Sequence, residues 1–73
     1  MANFGEKFKK LGKKISEFRK KNGLTQMQFA IQLGITREHL SHIEIGIKRP
    51  SLELLFLIAQ TLQIEIKELF DFT

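Results

Sequence analysis

The sequence predicts an all-α fold, a compact bundle of five short helices. Three observations carry this expectation: apolar residues recur at helical spacing, no segment alternates with a period of two, and helix-capping residues stand just ahead of the apolar runs. The 73 residues form one domain, spanning 1–73, near the length at which a single core supplies only roughly 3 to 5 kcal/mol.

In the first element Phe4, Phe8, Leu11, Ile15 and Phe18 are spaced by four, three, four and three. Lys7, Lys9, Lys10, Lys13, Lys14, Lys20 and Lys21 fall mostly on the other face. Helix one is thus basic and amphipathic. Gly5 and Gly12 each cost about 1 kcal/mol relative to alanine in a helix interior, so its secure part is expected from about Lys7, with residues 1–6 frayed. Asn22-Gly23 supplies a left-handed cap and ends it.

Thr25 with Gln28 three residues later is a capping box that opens a second helix, with Phe29, Ala30 and Leu33 facing inward. Gly34 breaks the pattern. Thr36 is the next N-cap, opening a third helix with Leu40 and Ile43 inward and Gly46 closing it. Lys48-Arg49-Pro50 forms a loop, Ser51 caps a fourth helix running through Leu62, and a short fifth helix fits Glu65 to Phe70.

Composition excludes several classes of function. Without cysteine there is no disulfide staple or thiolate zinc site, which fits a reducing compartment, and a cytoplasmic location is expected. The longest apolar run, Leu54 to Ala59, is far short of the roughly 20 residues of a membrane span, and no signal-peptide pattern opens the chain. The net charge of +4 is unevenly placed. Residues 1–21 hold eight Lys/Arg against two Glu, residues 22–50 three against two, and residues 51–73 one against four acidic groups. Such a one-sided basic field suits a polyanion; membrane binding through helix one would need the apolar stripe that the core requires.

The stretch GITREHLSHIEIG, residues 34–46, gathers both histidines and two carboxylates, which invites a metal or catalytic reading. The order E-H-x-x-H is not the metalloprotease HExxH, and no Cys or further His supplies a third ligand. Ser16, Ser41 and Ser51 lie in no nucleophile-elbow pattern. The reading is therefore a non-enzyme with no cofactor and no metal.

Two short helices joined by a tight bend at Gly34, the second with polar outward positions, have the profile of a helix-turn-helix. The motifs IxxFRKKNGLTQ, FAxxLGITxxxLSxIEIG, RPSLELL and LQIEIKELF, in this order from about Leu11 to Phe70, resemble the lambda-repressor and Cro-like helix-turn-helix domains, also called the xenobiotic-response-element type. The resemblance implies a five-helix domain whose second and third helices read double-stranded DNA, acting as a homodimer on a pseudo-palindromic operator. By the same resemblance, Arg37, Glu38, His39, Ser41 and His42 face base edges. Thr25, Gln26, Thr36, Lys48 and Arg49 hold phosphates, Gln26 also bracing the recognition helix at about 36–44. Arg19 and Glu44 match a structural ion pair between helix one and the end of helix three.

Two departures stand out. Ile45 and Ile47 occupy positions that are often polar or basic in related domains, so phosphate contacts are missing there or the isoleucines pack locally. Helix four is apolar nearly all round, and a chain this short cannot bury every side of a helix. Leu54, Leu57, Phe70 and Phe72, on the acidic end and away from the basic reading face, are therefore assigned to a dimer interface. The competing expectation is an antitoxin or adaptor-type module in which helices four and five hold a protein partner and DNA binding is secondary.

Overall fold

The first apolar stripe becomes α1, Gly5–Lys21, in the computed structural model, which describes residues 3–72. The helix starts two residues ahead of Lys7. Asn3 Oδ1 accepts from the Gly5 N–H at 2.9 Å, satisfying one donor that a helix start leaves unpaired. Met1 and Ala2, part of the segment expected to fray, lie outside the described residues.

The next three helices, α2 (Gln26–Leu33), α3 (Arg37–Glu44) and α4 (Leu52–Leu62), begin at the expected caps. Thr25, Thr36 and Ser51 accept through their side-chain oxygens from the N–H groups of Gln28, His39 and Leu54 at 3.1, 2.9 and 3.1 Å. At Thr25 the box is complete, because Gln28 Oε1 accepts in return from the Thr25 N–H at 2.9 Å. Each cap stabilises its helix by about 1 kcal/mol.

The fifth expected helix is not an α-helix. Ile66–Phe70 is a single 3-10 helix, so the bundle is four α-helices and one tighter turn, with no strand among the described residues. Five residues close few i→i−4 bonds, and the Glu65–Glu68 contacts already satisfy the tighter spacing: Glu68 N–H donates to the Glu65 carbonyl at 3.0 Å, and the Glu65 N–H donates to Glu68 Oε2 at 2.8 Å.

Every element contributes to one core. Ile15 from α1, Phe29 from α2, Leu40 and Ile43 from α3, Ile58 from α4 and Leu69 from the 3-10 helix are fully buried. Each such side chain stabilises the fold by about 1.5 to 3 kcal/mol. Around them α1 crosses the last turn of α3 at very close range. A Cβ on Gly12 would collide with the carbonyl oxygens of Ile43 and Glu44 and stand 2.7 Å from the Glu44 carbonyl carbon. Gly12 is thus the contact that lets α1 reach the backbone of α3, where helix propensity alone had marked it as a cost. No helix among the described residues is long and apolar enough to cross a membrane.

Candidate nucleic-acid interface

The bend between α2 and α3 is built on Gly34, which ends α2 at φ 72°, ψ 28°, a left-handed conformation that strains a residue bearing Cβ. Ile35 N–H reaches back to the Ala30 carbonyl at 3.0 Å, and two residues later α3 begins. Leu40 and Ile43 turn into the core. Arg37 and Glu38 are exposed, whereas His39, Ser41 and His42 are half-buried along the flanks of α3. The five residues expected to read bases therefore divide, two standing proud and three set back.

Beneath that face runs a chain of polar contacts that starts in the interior. Arg19 and Glu44 are each only 7% exposed. Arg19 Nε donates to Glu44 Oε2 at 2.7 Å and Nη2 to Oε1 at 3.1 Å, a two-point pairing, while Nη1 donates to the Leu24 carbonyl at 2.7 Å. Glu44 Oε1 also accepts from Gln26 Nε2 at 3.0 Å. A carboxylate can only accept, so it turns the Gln26 amide nitrogen inward and its oxygen outward. That outward oxygen accepts from Arg37 Nη1 at 3.4 Å. The ionic pair thereby reaches the exposed guanidinium through one glutamine, and Gln26 keeps a second Nε2 hydrogen with which it can donate to a phosphate.

The other expected phosphate ligands are placed differently. Thr25 and Thr36 are exposed at the starts of α2 and α3; their oxygens accept the capping bonds, which leaves each hydroxyl hydrogen to donate. Lys48 is exposed. Arg49 is exposed too, but its guanidinium carbon lies 4.6 Å from the centre of the Phe8 ring, a cation–π contact. Residues 8 and 49 are too far apart for any local pattern to announce this stacking. Ile45 and Ile47 are 55% and 66% exposed, so they do not pack locally and leave an apolar edge after α3.

The residues assigned to a dimer surface differ in exposure. Leu54 and Phe72 are half-buried against the core, and Leu57 and Phe70 are 37% and 46% exposed. The most exposed apolar side chains of α4 are Leu52 at 64% and Phe56 at 55%, one turn apart on the helix. The aromatic end is also not remote from basic groups. Phe70 and Phe72 share a cavity with Phe4, Phe8, Lys7 and Arg49.

The sequence profile of the helix-turn-helix family HTH_3 matches residues 15–69. The HTH-type transcriptional regulator SlrR of Bacillus subtilis is 37% identical over 62 residues, which take in 84% of this chain and 41% of SlrR; this chain therefore spans less than half of that relative. The restriction-modification controller protein C.AhdI from Aeromonas hydrophila superposes with a TM-score of 0.82 at 33% identity, over 86% of this chain and 96% of that one. SinR, the master regulator for biofilm formation, solved in complex with DNA, gives 0.77 at 27% identity over 84% and 98%. On the family match, the relatives and the architecture together, the chain belongs to the HTH_3 family, the Cro/C1-like, xenobiotic-response-element type of helix-turn-helix DNA-binding transcriptional regulator.

Proposed function

We propose that residues 1–73 act as one sequence-specific DNA-reading domain, binding a pseudo-palindromic operator as a homodimer with α3 in the major groove. The observation that carries this reading is the contact chain Glu44–Gln26–Arg37, which ties the exposed guanidinium to the buried ion pair. A guanidinium so placed suits bidentate donation to guanine O6 and N7. Glu38 would accept from a cytosine amino group, His39 and His42 would donate to purine N7 or to phosphate, and Ser41 is small enough to admit close approach. Thr25, Gln26, Thr36, Lys48 and Arg49 are the proposed contacts to the phosphate backbone, which set register while α3 sets sequence. The exposed basic face of α1 adds a field that favours any polyanion.

Dimerisation is proposed through the outward apolar row of α4, Leu52, Phe56 and Leu57, flanked by Leu54, Phe70 and Phe72. Two copies would then present recognition helices about 34 Å apart, one turn of DNA. A regulator solved with DNA and a restriction-modification controller among the structural neighbours support this use. Selection from a random DNA pool tests it: an enriched motif with two-fold symmetry and half-sites about ten base pairs apart is expected. Enrichment of no motif would overturn sequence-specific reading. A symmetric motif bound by a chain that sediments only as a monomer would overturn the dimer.

A further inference from the structure

Between the start of α1, the loop after α3 and the 3-10 helix lies a cavity of about 280 Å³. Phe4, Phe8, Phe70 and Phe72 line it, and Phe4 and Phe70 remain 47% and 46% exposed to solvent. Its two charged lining residues, Lys7 and Arg49, are both cations. Among the described residues neither enters an ion pair; the pairs formed are Lys9–Glu6 and Arg19–Glu44. Arg49 rests instead on the Phe8 ring.

An aromatic enclosure lined, among the described residues, by two cations and no carboxylate complements one kind of molecule. An inorganic anion would lose hydration against four phenyl rings, and a neutral apolar body would leave both cations unanswered. We propose that this cavity binds a small amphipathic carboxylate, its apolar body against the phenylalanines and its carboxylate accepting from Lys7 Nζ and the Arg49 guanidinium. The volume, just below the usual range for ligand pockets, fits a compact ligand. Because Arg49 is also a proposed phosphate contact, occupation draws its guanidinium away from DNA and weakens operator binding. By linkage, DNA weakens the ligand by the same factor. This coupling rests on the DNA-reading proposal, whereas the site itself does not.

Decanoate titrated into the full chain without DNA, followed by amide chemical shifts, tests the site. Saturable shifts confined to the first two turns of α1, residues 47–49 and the 3-10 helix are expected. Lys7→Gln and Arg49→Gln should each weaken decanoate about fivefold while keeping the folded spectrum, and decanol should bind all three proteins equally. Shifts that never saturate, or decanoate affinity unchanged by both substitutions, would overturn the site. Shifts in the first two turns of α1 and at residues 47–49 that vary with protein concentration alone would also overturn it, assigning the cavity to a second copy; such shifts in the 3-10 helix alone belong to the proposed dimer. With the site established, decanoate should weaken binding of the native chain to its selected operator and leave Arg49→Gln unaffected. Decanoate binding without that loss would overturn the coupling through Arg49 and leave the site standing.

Discussion

α3 and α4 take part in the same core, yet their outward positions carry different chemistry. Outside α3 stand Arg37 and Glu38, with a hydrogen-bonded path from Arg37 inward to a buried ion pair. Outside α4 stand Leu52, Phe56 and Leu57, with nothing polar to hold them in place. The first surface is organised from below, as a group that must meet a hydrogen-bonding partner in one orientation requires. The row of Leu52, Phe56 and Leu57 is apolar, and its fit comes from whatever packs on it.

Glu44→Ala leaves Arg19 buried without its partner and should cost about 3 to 5 kcal/mol in urea unfolding, with most of that returned in the double variant Arg19→Met, Glu44→Leu. A loss under about 1 kcal/mol would show that the pair does not hold α1 to α3. Gly12→Ala should cost up to about 3 kcal/mol by the same measurement, because the added methyl meets the α3 carbonyls. Helix propensity alone predicts a gain of about 1 kcal/mol, so the sign of the change decides between them.

The outward chemistry is tested next. Arg37→Ala should lose about 2 kcal/mol on the selected operator and nothing on random DNA; equal losses on both would reduce Arg37 to a phosphate contact. Phe56→Lys should raise the dimer dissociation constant at least about tenfold in analytical ultracentrifugation, with the monomer fold intact. An unchanged dimer would move the interface off α4. Smallest of all, Lys48→Ala should lower the slope of log affinity against log salt by about 0.9, without altering sequence preference.

What was legible in the sequence follows the same division between local and distant causes. Thr25, Thr36 and Ser51 could be read as caps because a cap is a contact with the residue three positions on. The pairing of Arg19 with Glu44, twenty-five positions apart, entered only through the family resemblance. The need for Gly12, the inward turn of the Gln26 amide and the stacking of Arg49 on Phe8 depend on elements meeting in space, which no local pattern encodes. On α4, apolar residues on nearly every side leave periodicity without a direction. Nothing in the pattern therefore singles out Leu52 and Phe56 as the most exposed side chains of α4. The short last helix is legible in place, but apolar residues three apart fit a 3-10 turn as well as an α-helix and leave its type open.

The backbone contact at Gly12 has a thermodynamic consequence. With the last turn of α3 seated directly on the main chain of α1, the proposed recognition helix is already fixed before DNA arrives, and its conformational entropy was lost on folding. Operator binding by such a helix should therefore show the modest heat-capacity change of two preformed surfaces meeting, not the large negative one of a segment that orders as it binds.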